Sequence, residues 1–150
     1  MANTIRWNTP GSKTTAISSS QNNNLAAGNQ TISASISNDA SGELFLYADF
    51  MLKLSASTAN RCAGANVALY LLPDLGDSNY AFGASTTQPP VNAWKGYFYV
   101  DSGATTARFN VITGVMLPPE NFKVMIENNT GKLFSCCTVI SYRRYNMRSS

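Results

Sequence analysis

The sequence predicts an all-β protein: a single antiparallel β-sandwich, jelly-roll-like, of about eight strands with an extended N-terminal arm. Three observations carry that expectation. Short β-prone runs recur at fairly even spacing, separated by clusters of Gly, Pro, Asn, Asp and Ser. No stretch shows the 3.6-residue apolar period of an amphipathic helix. No internal repeat is visible, which argues against a propeller or a solenoid.

Residues 1–30 read as the arm and residues 31–150 as the sandwich. The stretch SSSQNNNLAAGNQ is polar and without period. Ile5, Trp7, Ile17 and Leu25 stand in the arm as isolated apolar points. A polar segment with sparse anchors suits a chain that orders against a neighbouring protein, so all four are candidate partner contacts.

From residue 31 the strands follow. TISASIS alternates Ile32, Ala34 and Ile36 with polar residues, as a half-buried strand does. Residues 38–42 form a turn. Residues 43–55 are too uniformly apolar for a helix with a wet face, and predict a strand buried on both sides with a bulge near Asp49. After the small-residue loop 55–65 comes NVALYLLP, a strand closed by Pro73. DLGDSN and residues 83–90 are loops, WKGYFYVD and ARFNVITGVM are strands, and Pro118-Pro119 ends the second. NFKVMIE places Phe122, Val124 and Ile126 on one face and Lys123, Met125 and Glu127 on the other. Asn128-Asn129-Thr130-Gly131 has hairpin-turn chemistry, and KLFSCCTVISYRRY is the last strand.

One domain fits the 150 residues. Charged residues are only 13%, about half the ordinary fraction, so the surface is made mainly of Ser, Thr, Asn and Gln. Lys and Arg are scattered rather than gathered on one face, which speaks against a nucleic-acid partner. The exception is Arg143-Arg144 with Arg148, a solvated terminus or a contact for an acidic partner. No apolar run approaches a membrane span, and the N-terminus lacks the layout of a signal peptide. Cys62, Cys136 and Cys137 are expected as small buried hydrophobes in a reducing cytoplasm, the adjacent pair pointing to opposite faces of a strand.

The search for chemistry returns little. There is no histidine, which removes Ser-His-Asp and Cys-His mechanisms and the commonest metal ligand. The acidic residues fall at strand ends and in turns. Asp74, Asp77 and Asn79 have oxygen spacing that a Ca²⁺ loop could use, but lack its closing bidentate Glu. Trp94, Lys95, Tyr97, Phe98 and Tyr99 form either core plus interface or a stacking platform for a sugar or base. Trp94 is a candidate contact on either account. The expectation is no catalysis, no cofactor and no metal.

The C-terminal half resembles a group of small virion proteins of tailed bacteriophages. The resemblance runs through Ala68-Leu69-Tyr70-Leu71-Leu72-Pro73, Asp77-Ser78-Asn79-Tyr80 and Pro89-Pro90. It continues through Pro118-Pro119-Glu120-Asn121-Phe122-Lys123 and Asn128-Asn129-Thr130-Gly131, covering residues 44–145. Cys136-Cys137 departs from it, since small polar residues are usual there. The resemblance implies a capsid decoration or cement protein, made in the host cytoplasm and docked on the outside of the assembled head. There it would bridge major capsid protein subunits as a homo-oligomer, a dimer or trimer, and stabilise the shell by mass action. A tail, adaptor or fibre-associated virion protein and a carbohydrate-binding β-sandwich are the alternatives.

Overall fold

The structure is a computed structural model and describes residues 5–38, 42, 44–76, 80 and 91–149. Its elements are β1 (Ile5–Trp7), β2 (Thr14–Ile17), the one-turn helix α1 (Ser19–Asn22), β3 (Gln30–Ile32), β4 (Tyr47–Leu54) and β5 (Asn66–Pro73). They continue with β6 (Trp94–Tyr99), β7 (Arg108–Met116), β8 (Phe122–Asn129), β9 (Val139–Tyr145) and β10 (Met147–Ser149). Two antiparallel four-stranded sheets form the sandwich: β2-β9-β4-β7 and β3-β8-β5-β6. A two-stranded ribbon, β1 with β10, completes it. The predicted all-β sandwich is the fold observed.

The core lies between the two sheets. Phe50, Leu52 and Ile140 meet Val67, Leu69, Leu71, Phe98, Phe122, Val124 and Ile126 there. Each such side chain contributes about 1.5–3 kcal/mol by leaving water. Alternation decides which residues these are. In β8, Phe122, Val124 and Ile126 point inward, while Met125 points outward into a small cluster with Ala68, Tyr70, Leu72 and Ala93.

The bulge expected near Asp49 is present, with its extra residue on the partner strand. Ala48 faces Val115 and Phe50 faces Ile112, so Thr113 and Gly114 both oppose Asp49. Gly114 has φ +69° and donates its N–H to Asp49 Oδ1 at 3.2 Å. A glycine in left-handed conformation is what this kind of bulge needs.

Several expectations are corrected. The arm is shorter than residues 1–30, because β2 joins the first sheet against β9 and Ile17 is fully buried in the core. Ile17 is therefore not available to a partner, and Leu25, partly buried, packs against the core. The arm proper ends near residue 13, and Asn8 and Gly11 donate backbone hydrogen bonds to Asn146 and Arg144. Of TISASIS only Thr31 and Ile32 lie in β3, which starts at Gln30, and an isolated bridge from Ile36 to Phe122 follows. The Asn128–Gly131 turn makes no hairpin, since β8 and β9 belong to different sheets. Asn128 is fully buried there; its Nδ2 donates to the carbonyls of Leu25 and Lys132 and its Oδ1 accepts from Thr130, which directs the chain across the sandwich.

The cysteines are not buried. All three are exposed free thiols. Cys136 and Cys137 sit in a turn before β9, not on a strand, and Cys137 has φ +78°. Ser135 and Thr138 hold that turn through hydroxyl contacts of 2.8 Å each to Ser55.

Candidate functional site

The outer face of the second sheet gathers the chemistry that the sequence scattered. β6 lies at its edge, and alternation sends Phe98 into the core and Tyr97 and Tyr99 outward. Trp94 joins them through a slip in register: Leu69 faces Gly96 while Tyr70 faces Trp94, leaving Lys95 as the extra residue. A Cβ on Gly96 would come within 3.2 Å of the Ile112 side chain, and its φ is +153°. Glycine lets β6 pass this close to β7.

The result is a row of three rings. The Trp94 and Tyr97 centroids are 5.0 Å apart with planes at 50°. Tyr97 and Tyr99 are 5.7 Å apart at 57°. Their exposures are 42%, 39% and 66%, so each ring offers apolar surface to solvent.

A polar lane runs beside the rings, and strand register sets its position. Tyr99, Asn66 and Asn129 share one cross-strand row; Tyr97, Ala68, Glu127 and Gln30 share the next; Trp94, Tyr70 and Met125 the third. Glu127 is the hub. Its Oε2 accepts from the Tyr70 hydroxyl at 3.0 Å and from Asn129 Nδ2 at 3.3 Å, and its Oε1 accepts from Gln30 Nε2 at 3.3 Å. Asn129 Nδ2 also reaches Asn66 Oδ1 at 3.4 Å. A carboxylate held by three donors keeps its orientation without a ligand. Exposed ring faces next to fixed amides and a carboxylate can stack on a polyhydroxylated ring and hydrogen-bond its edge.

Burial first, and then the bond to Glu127, push the Tyr70 hydroxyl well above the usual tyrosine range. Tyr142 and Tyr145 are raised as well, mainly by burial. The folded state therefore keeps phenolic protons that the unfolded chain releases near pH 10. Stability is fully present below that pH and falls as pH rises above it. Tyr70→Phe is expected to cost about 1–2 kcal/mol at neutral pH and to make this alkaline decline shallower, as urea titrations across the range would read. An unchanged alkaline slope would show that the folded state does not hold the Tyr70 proton above the usual tyrosine range.

The outer face of the first sheet exposes several large apolar side chains and carries the other sequence candidates. β1 pairs with β10 in the register Ile5 to Ser149, which brings Trp7 onto Tyr47 and Tyr145. The ring centroids are 5.8 and 5.3 Å away, both edge-on. Trp7 stays 61% exposed, and Phe109, Val111 and Met116 are exposed on the neighbouring edge strand β7. An apolar groove of about 280 Å³ continues beside them, between Leu44–Tyr47 and Met116–Pro119.

The arginines differ from the expected solvated terminus. Arg143 pairs with Asp49 at 3.2 Å on this face. Arg144 donates to the Ser37 carbonyl at 2.7 Å and lies over the Phe45 ring at 4.6 Å. Both are thus engaged within the chain. Asp74 accepts from the Gly76 N–H at 3.0 Å, as a self-supporting loop does, while Asp77, Ser78 and Asn79 lie outside the described residues, as do 83–90. Among the described residues, no group of three or more His, Cys, Asp or Glu could hold a metal ion.

Sequence reasoning singled out Trp94, Tyr97 and Tyr99 but missed the lane of Glu127, Asn129, Asn66 and Gln30. The outward position of Glu127 was readable from the alternation of β8. The pairing that sets it beside the rings was not.

No protein-family model and no curated protein matches the sequence. Among solved structures, the chain is similar to the CBM36-1 domain of a multidomain xylanase from the hindgut metagenome of Trinervitermes trinervoides. The TM-score is 0.45 and the identity 17%, over 97% of each chain.

Proposed function

We propose that this protein is a non-catalytic, carbohydrate-binding β-sandwich module that takes its ligand on the outer face of the second sheet. The observation that supports this is the contiguous row of Trp94, Tyr97 and Tyr99 on the same sheet face as the fixed carboxylate of Glu127, which shares the cross-strand row of Tyr97. Aromatic stacking supplies affinity and the polar lane supplies orientation. Screening the full chain on a glycan array, followed by calorimetry, tests the assignment. Tyr97→Ala is expected to weaken the best ligand about tenfold or more, with the melting temperature nearly unchanged. Failure to bind any glycan on a broad array counts against carbohydrate binding.

A second function has its own support on the opposite sheet. Exposed Trp7, Phe109, Val111 and Met116 beside Arg143 have the composition of a protein-docking face. Together with the sequence resemblance, this favours a virion protein of the capsid decoration type, held on the head by contacts to the major capsid protein. Sedimentation with isolated phage heads, and separately with tails, distinguishes the possibilities. Saturable co-sedimentation with heads, weakened by Trp7→Ala, is the expected result. Binding to tails alone would indicate an adaptor or fibre component. The two faces lie on opposite sides of the sandwich, so one molecule can carry both functions.

A further inference from the structure

We infer that the β6 row takes an internal stretch of a linear glycan chain rather than a free sugar, and prefers twisted soluble chains to flat crystalline surfaces. This rests on the carbohydrate-binding assignment above and specifies the ligand of the same face.

The row is linear. Three rings come from six consecutive residues of one edge strand, each follows the last at 5.0 or 5.7 Å, and all three are open to solvent. A single sugar covers one such ring and leaves the rest of the row wet. A chain running along β6 covers all three.

The tilt of the rings sets the shape of that chain. Successive planes turn by 50° and then by 57°. A rigid flat face, such as the surface of a crystalline polysaccharide, meets one of these planes squarely and misses the others. A single chain whose sugar rings rotate about their linkages can lie against each in turn. The slip at Lys95 sets the backbone position of Trp94 relative to Tyr97, and glycine at position 96 leaves room for the Ile112 side chain where β6 passes β7.

The polar lane reads one side of the same chain. Glu127 and Gln30 share the row of Tyr97, and Glu127 stands two strands away, about 10 Å in the hydrogen-bonding direction. Asn66 and Asn129 share the row of Tyr99. The lane therefore flanks the rings on one side only, along more than one sugar position. Hydrogen bonds from it fall on hydroxyls along one edge of a bound chain.

The test is calorimetry of the full chain with cello-, xylo- and malto-oligosaccharides from the monosaccharide to the hexasaccharide, with retention on microcrystalline cellulose measured in parallel. In at least one series, affinity is expected to rise about tenfold or more from monosaccharide to trisaccharide and then level off. Tyr99→Ala is expected to move that plateau to the disaccharide while its melting curve stays unchanged. Retention on the crystalline solid is expected to be weaker than binding of the soluble chains. A monosaccharide that binds as tightly as the hexasaccharide would overturn the chain inference and leave carbohydrate binding standing. Stronger retention on the crystalline solid than on soluble chains would overturn the preference for twisted chains. Absence of binding to every series and to a broad glycan array would overturn both this inference and the function on which it rests.

Discussion

Deleting residues 1–28 is expected to lower the melting temperature by about 10 °C or more, or to leave the chain unfolded. The deletion removes β2, an edge strand paired with β9 from Thr14 to Ile17. It also removes Ile17, whose side chain is completely buried in the core; truncating such a residue to alanine alone costs about 2–5 kcal/mol. Residues 22–29 add a second tie. Asn24 donates to the Phe134 carbonyl, Phe134 donates back to Leu25, and Gly28 donates to Asn128. The Asn22 side chain reaches the Thr138 carbonyl at 3.1 Å. Without this segment the turn from β8 to β9 loses partners on one side, and Asn128 loses the Leu25 carbonyl to which it donates. Total stability of a domain this size is about 5–15 kcal/mol, so a loss of about 5 kcal/mol is a large part of it. Differential scanning calorimetry of the truncated chain measures the effect. Trp7→Ala serves as the contrast, because it removes only edge-on ring contacts on an exposed surface and is expected to cost about 1 kcal/mol. A truncated chain that melts like the full one would mean that β2 is an appendage after all.

The place of Ile17 explains where the sequence stops being legible. Strands long enough to show a period announced themselves: β5 as a continuous apolar run closed by Pro73, β8 by strict alternation, β4 by its length and by an acid at the bulge. β2 is four residues, preceded by Gly and Lys and followed by Ser and Gln. No period can be read from four residues, and a single isoleucine in polar surroundings looks like a surface anchor. Only its pairing with β9, more than a hundred positions away, makes it core.

The candidate site obeys the same division. Outward-facing Tyr97 and Tyr99 follow from alternation within one strand, and Glu127 from alternation within another. That these belong to one face depends on β5 pairing with β6 on one side and β8 on the other. Long-range pairing of this kind leaves no trace in local residue spacing. The exposed thiols show the converse: Cys136 and Cys137 read as strand residues because they lie between Leu133-Phe134 and Val139-Ile140 in sequence. In the fold, hydroxyl contacts of Ser135 and Thr138 to Ser55 hold that segment as a turn outside the sheet.

Arg61 was invisible for a related reason, and replacing it should have the largest effect of any single surface-type residue. Arg61→Met is expected to cost about 3 kcal/mol. A lone arginine in a loop of Ser, Ala, Thr and Asn reads as solvated, yet this one is 4% exposed. Its Nη1 donates to the Ala104 carbonyl at 3.2 Å, and its Nη2 to the carbonyls of Ser55 and Thr106 at 3.1 and 3.0 Å. The guanidinium thus joins the chain leaving β4 to the loop entering β7, at one end of the sandwich. Burial lowers its pKa from the ordinary arginine value and nearby Arg108 adds to this, but arginine starts high enough to stay charged. Hydrogen bonds from a charged donor contribute about 1.5–3 kcal/mol each, and part of that loss returns as the loop carbonyls take up water. Methionine fills similar volume, so the change isolates the hydrogen bonds from the packing. Arg61→Lys keeps the charge but lacks the planar fork that serves three acceptors at once, and is expected to recover less than half of the loss. Urea unfolding reads both variants: the midpoint should fall while the slope stays constant. A methionine variant within about 0.5 kcal/mol of the parent would mean that water replaces the guanidinium at no cost. The loops would then be held by the strands they connect and not by Arg61.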